Sequence, residues 1–189
     1  LLGIITVSDI AKSYMDAYDS SVMSQAKTKY HSIAETLDGE VMVGNEHGYF
    51  VKGRVVIGAF HPDMMENYIN QDDLVILGNR AEDQLCAIEM EASCLVVGLG
   101  AKVSKSIQKL AEDHDCVIIS SPHDTYTIAR LINQSIPIKY LMTKDNLITF
   151  STSDFVDEIK DIMKTHRHRD FPILNKKNKY IGTISRRNL

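Results

Sequence analysis

No apolar run in this sequence approaches the ~20 residues that a membrane-spanning helix requires. No basic, apolar-cored leader opens it either. The expectation is a soluble, cytoplasmic protein. Cysteine is scarce. Cys86, Cys94 and Cys116 are odd in number, show no C-x-x-C spacing and have no paired histidines beside them. That excludes a disulfide framework and a zinc knuckle, and predicts three buried thiols in a reducing compartment. No Ser-His-Asp or Cys-His arrangement stands out, and Asp113-His114-Asp115 is not a D-H-H motif. The reading is of a non-catalytic chain.

What is present is ordinary globular composition: 189 residues, 44% hydrophobic and 24% charged. This suits one domain or two small ones with a core of their own. Charge is unevenly divided. From His166 to Leu189 seven Lys and Arg (Arg167, Arg169, Lys176, Lys177, Lys179, Arg186, Arg187) face Asp170 alone, a balance of +6. The remainder carries −10, giving −4 for the whole. An acidic protein with one basic end is a poor general nucleic-acid binder. It suits a small polyanion there, or simply a solvated basic surface.

Leu1 to Val7 has the pattern of a buried strand, followed by Ser8-Asp9 and a helical stretch, Ile10 to Asp16. Such an opening predicts a chain that starts inside a domain. Ala17 to Lys29 is polar and Ser-rich, which predicts a connection or a loosely packed helix. Strands are then predicted over Arg54 to Phe60, Leu74 to Leu77, Cys94 to Val97 and Cys116 to Ser120. Helices are predicted over Asp83 to Ala92, Ser104 to His114 and Thr125 to Asn133. Apolar runs with little alternation, separated by amphipathic helices, indicate strands covered on both faces of a parallel sheet. A second pattern starts near Pro137. It has an extended piece at Leu147 to Phe150, a helix from Ser153 to His166, strands at Phe171 to Leu174 and Tyr180 to Ile184, and the start of a helix at Ser185.

The two ends share one form. Gly3-Ile4-Ile5-Thr6-Val7-Ser8-Asp9 and Gly182-Thr183-Ile184-Ser185-Arg186-Arg187-Asn188 both read Gly, two residues, Thr or Ser, two residues, Asp or Asn. Each is predicted to close a strand and open a helix. The hydroxyl of Thr6 or Ser185 then caps the helix, whose free N–H groups favour an anion. Arg186 and Arg187 add charge-assisted bonds to phosphate. Asp9 and Asn188, one turn on, suit ribose hydroxyls. A single match of this kind means only a capped helix, whereas two in the same context point to a nucleotide turn.

The C-terminal stretch resembles a CBS module on three segments: Met142-Thr143-Lys144, Arg169 to Leu174 and Gly182 to Asn188. Leu1 to Asp16 resembles the last strand and helix of another. The resemblance implies that Thr6, Asp9, Ser185 and Asn188 hold phosphate and ribose. It also implies that Met142, Thr143, Lys144, Phe171 and Pro172 line an adenine pocket. The basic run His166-Arg167-His168-Arg169 complements a helix end and is placed to help neutralise phosphate. The central part is similar to the DRTGG domain. Gly78-Asn79-Arg80-Ala81 stands at its G-D-R-T motif, Cys94 to Gly100 at its T-G-G strand, and Ser121 to Ile132 at its last turn and helix. Asn79 and Ala81 depart from the motif.

These resemblances imply an α/β protein in which α+β CBS modules flank an α/β domain with a largely parallel sheet. The expected division is 1–17 for the end of the first module, 18–29 for a linker, 30–136 for the DRTGG domain and 137–189 for the second module. A DRTGG domain between CBS modules resembles the regulatory insert of family II inorganic pyrophosphatases, the manganese-dependent enzymes of the DHH type. By that resemblance the chain senses AMP, ADP, ATP or a diadenosine polyphosphate and works as a homodimer, with manganese only in a separate catalytic part. A sensor attached to a transcriptional regulator or another non-hydrolase is the alternative, and a dimerisation region without ligand a third. Two features carry less. His114-Asp115 and His123-Asp124 are HD pairs without a further ligand set, and Gly98-x-Gly100-x-x-Val103 is a dinucleotide fingerprint lacking its third Gly.

Overall fold

A computed structural model describes residues 1–15, 19–59, 61–166 and 168–188, with side chains described for all of these except 12–15, 62 and 188. Asp16, Phe60, Arg167 and Leu189, on which parts of the sequence reading fall, lie outside the described residues. The elements run α1 (Val7–Met15), α2 (Val22–Gln25), β1 (Thr28–Lys29), α3 (Tyr30–Thr36), β2 (Glu40–Val43), β3 (Tyr49–Phe50), β4 (Val55–Ile57), α4 (Pro62–Met65), β5 (Leu74–Leu77), α5 (Ala81–Glu89), β6 (Cys94–Val97), α6 (Lys105–Asp113), β7 (Val117–Ser120) and α7 (Thr125–Leu131). After a 3-10 turn over Ile132–Ser135 come α8 (Ile138–Leu141), β8 (Phe150–Ser151), α9 (Val156–Thr165), β9 (Asp170–Leu174), β10 (Tyr180–Ser185) and a 3-10 turn over Arg186–Asn188. The chain forms two compact units, one of Val7–Leu141 and one of Leu1–Thr6 with Met142–Leu189.

The larger unit is a five-stranded sheet in the order β2-β7-β6-β5-β4. Neighbours β4 to β7 are parallel, and β2 joins one edge antiparallel to β7. Every residue of β5 and β6 is fully buried, as expected for strands covered on both faces. Alternate side chains point to opposite faces. Val75, Leu77, Leu95 and Val97 pack with Met65, Ala87, Ile88, Ile107 and Ala111 from α4, α5 and α6. Leu74, Ile76, Cys94 and Val96 pack on the other side with Ile33, Leu37, Ile128 and Ile132. Each such aliphatic residue contributes roughly 1.5–3 kcal/mol on burial. Cys86, Cys94 and Cys116 are free and buried, as expected. Burial pushes the Cys116 thiol up to about 12 and raises Cys94 well above the usual thiol range.

Local chemistry sets the helix starts. Ser104 Oγ accepts the Ile107 N–H at 3.3 Å and caps α6. Asp124 caps α7, its carboxylate accepting the Thr127 N–H and hydroxyl, both at 2.9 Å. Two sequence expectations are corrected. The Ser-rich stretch before α3, described over 19–29, is not loosely packed there: Met23, Ala26 and Thr28 are buried, and the Ser24 hydroxyl donates to Gly53 O at 2.8 Å. Leu1 to Val7 is not a buried strand. It makes one antiparallel bridge, Ile4 to Thr143, while Leu2 is 86% exposed and α1 begins at Val7. An apolar run can lie in a strand only where neighbours pair it.

The smaller unit is a three-stranded sheet, order β10-β9-β8, with α9. β9 pairs β10 antiparallel and β8 parallel. Its core is Phe150, Ile159, Met163 and Phe171, with Ile148 and Ile184 alongside. No helix among the described residues is long and apolar enough to cross a membrane.

Candidate nucleotide-binding site

The predicted site residues fall mainly in the smaller unit. There the N-terminal segment lies directly against Met142-Thr143. The Ile4 N–H donates to Thr143 O at 2.9 Å and the Thr143 N–H returns a bond to Ile4 O at 2.8 Å. Gly3 permits this approach, since a Cβ there would sit 2.7 Å from Thr143 O and 2.8 Å from the Met142 sulfur. The segment that leads to Thr6 is thus paired with the Met142-Thr143-Lys144 opening. Thr6 is half-buried, and Thr143 and Lys144 are exposed. Asp9 lies in the first turn of α1, within the larger unit.

The second turn is built on the β9–β10 ladder. Its register sets Ser185 opposite Asp170, Ile184 opposite Phe171 and Thr183 opposite Pro172. The Arg186 N–H then donates to Arg169 O at 3.1 Å. The Ser185 hydroxyl accepts the Arg187 N–H at 3.3 Å, the local bond a turn-opening hydroxyl is expected to make. Arg169 and Arg187 are exposed beside it. Gly182 faces open space, with no atom within 4 Å of where its Cβ would be. The side chain of Asn188 lies outside the described residues.

Two residues have other work. Arg186 was expected at phosphate. Its guanidinium instead donates to Met163 O and His166 O at the C-terminus of α9, where a cation meets unpaired carbonyls. A groove of about 260 Å³ adjoins it, lined by Lys160, Met163, Lys164 and Arg186. Phe171, expected to line adenine, is 1% exposed. Its ring packs on Phe150 at 5.4 Å, with His168 edge-on at 6.0 Å.

The weaker motifs resolve into structural parts. Among the described residues no group of three His, Cys, Asp or Glu is placed to hold a metal ion. His123 bonds Asp38 at 2.9 Å, and His114 ends α6. The partial fingerprint is no phosphate cradle. The Gly98, Leu99 and Gly100 N–H groups donate to Leu77 O, His123 O and Ser121 O at 3.0, 2.7 and 2.8 Å. Those amides are already satisfied.

The DRTGG domain matches residues 32–135 and the CBS domain residues 138–189. A cobalt-dependent inorganic pyrophosphatase of Clostridium perfringens is 38% identical over 186 residues, covering 98% of this chain and 34% of that protein. A probable manganese-dependent inorganic pyrophosphatase of Thermotoga maritima is 25% identical over 189 residues, all of this chain and 34% of that protein. The chain thus spans about a third of the length of these curated relatives. Among solved structures it is similar to the CBS and DRTGG domains of the regulatory region of Clostridium perfringens pyrophosphatase, complexed with the activator diadenosine tetraphosphate. The TM-score is 0.89 at 38% identity, covering 98% of this chain and 81% of that one. With both domain matches in the same order and the fold shared from end to end, the chain belongs to the family of regulatory regions that join a DRTGG domain to a CBS domain.

Proposed function

We propose that this chain is the adenine-nucleotide-binding regulatory region of a cytoplasmic inorganic pyrophosphatase, which hydrolyses diphosphate to phosphate. The observation that carries the reading is the shared fold with a regulatory region that holds diadenosine tetraphosphate. The local geometry supports it. Ser185, Arg187 and Arg169 gather where β10 ends, and the Ile4–Thr143 bridge pairs the segment leading to Thr6 with Met142-Thr143-Lys144. In this proposal Asp9 and Asn188 take ribose hydroxyls and the exposed arginines take phosphate. Pro172, with the backbone at Phe171, flanks the base.

Leu1–Thr6 closes into one unit with Met142–Leu189, which supports reading the first residues as the end of a preceding CBS module. Residues 30–136 are then the DRTGG domain and 137–189 the second module. AMP, ADP, ATP and diadenosine polyphosphates are the proposed ligands, and the working form is a two-fold homodimer. Manganese or cobalt belongs to the rest of the protein. Control follows if nucleotides bind two arrangements of the modules with different affinity.

Calorimetric titration of the protein with AMP, ADP, ATP and diadenosine tetraphosphate tests this. Saturable binding is expected, weakened roughly tenfold or more by Arg187→Ala, which removes a charge-assisted bond. Ser185→Ala and Asp9→Ala should weaken it too. No heat with any of the four from a folded protein overturns the proposal.

A further inference from the structure

The β5–α5 turn holds an anomaly that the nucleotide reading does not use. Asp83, in the first turn of α5, is 5% exposed, and its Oδ1 has no hydrogen-bond partner. A buried carboxylate oxygen left unpaired is costly and rare. Its other oxygen faces Arg80 Nε at 3.6 Å, so the carboxylate turns toward the start of the helix. Arg80 is the N-cap residue and supplies no side-chain cap. The first helical bond runs from the Gln84 N–H to Arg80 O, at 3.2 Å, so the amides of Ala81, Glu82 and Asp83 precede it. The backbone at the turn is open. No atom lies within 4 Å of a Cβ built on Gly78, and Gln84 Nε2 holds Gly78 O at 3.2 Å. The turn stands at the carboxyl end of the parallel strand β5.

Charge selects the kind of group. An anion meets Glu82 and Asp83 in the same turn, and a cation meets Arg80 and the positive end of the helix. An uncharged hydroxyl suits both sides, because one oxygen donates to Asp83 Oδ1 while accepting from a helix amide. We propose that the β5–α5 turn binds a hydroxyl of a sugar or nucleoside, through Asp83 Oδ1 and the N-terminal amides of α5. The site lies wholly within the larger unit and does not depend on the nucleotide reading of the smaller one.

Amide NMR spectra of the protein, titrated separately with D-ribose, adenosine and 9-methyladenine, which carries no hydroxyl, test it. The expected result is a saturable shift of the amides of residues 79–84. Ribose acting alone identifies a free sugar, and adenosine acting without ribose identifies a nucleoside. Asp83→Asn keeps the side-chain shape and should weaken binding roughly tenfold or more, with Arg80→Gln, at an exposed position, weakening it less. Equal shifts with 9-methyladenine overturn the proposal, since hydroxyls then play no part. So does the absence of a saturable shift with all three probes, which leaves Asp83 holding a water.

Discussion

The larger unit closes its own core and the smaller one does not. In the larger unit two whole strands are buried between helices on one face and helices and a 3-10 turn on the other. In the smaller unit four side chains form the core, while Phe155, Val156, Tyr180 and Ile181 are each at least half exposed. The first is an α/β domain with an extensive core. The second leaves these apolar side chains uncovered around a small core, which agrees with a module proposed to work in pairs and to respond to a ligand. The larger core lies in one region and most of the proposed ligand residues in the other.

The most damaging substitutions should therefore differ in reach. Leu95→Ala leaves a cavity between two covered faces and should cost about 3 kcal/mol. Chemical denaturation should show that loss, with hydrogen exchange accelerated throughout the larger unit. Phe171→Ala should cost a similar amount, but its accelerated exchange should stay within 142–188. Acceleration of both regions by either variant would erase the distinction drawn above.

Asp73 sharpens the same contrast. It is 1% exposed and accepts the Arg54 N–H at 2.8 Å, the Arg54 guanidinium at 2.7 Å and the Asn70 N–H at 3.0 Å. Asp73→Ala strands a cation and two amides, and should cost about 3 kcal/mol, read in the same denaturation experiment.

Alkaline pH should also act on the larger unit. Cys94, Cys116 and Cys86 all have thiol pKa values raised by burial. In the unfolded chain they ionise near pH 8.5, while the native state keeps its protons, so unfolding becomes easier as pH rises. The contribution is complete below about pH 8.5 and is lost progressively toward pH 12. Denaturation midpoints across that range should fall, and native thiols should resist alkylation at pH 8. Rapid alkylation of the folded protein would contradict this. The smallest effect is expected at an exposed cap: Ser104→Ala should lower stability by about 1 kcal/mol through the loss of the Ile107 bond.

Buried strands were the most legible part of the sequence, because a strand covered on both faces is apolar at every position. Leu74 to Leu77 and Cys94 to Val97 have the predicted bounds. Tyr30, Ile33, Ala34 and Leu37 follow helical spacing, yet α3 has only seven residues and no side-chain cap to mark its start. The edge strand β2 is short, and only Val43 in it is buried. Leu1 to Val7 shows the limit of apolarity, which reveals a preference for burial but not whether a partner strand exists. Arg186 shows the limit of charge: a phosphate ligand and a helix-capping cation look alike until α9 ends beside it.

The central claim is that nucleotide is held by the smaller unit and its N-terminal partner segment. Hydrogen exchange of the protein with and without diadenosine tetraphosphate tests it most directly. The account predicts protection in residues 1–9, 142–144, 169–173 and 182–188, with 30–136 largely unchanged. Protection confined to 30–136, or none at a ligand concentration that saturates the calorimetric response, would contradict it.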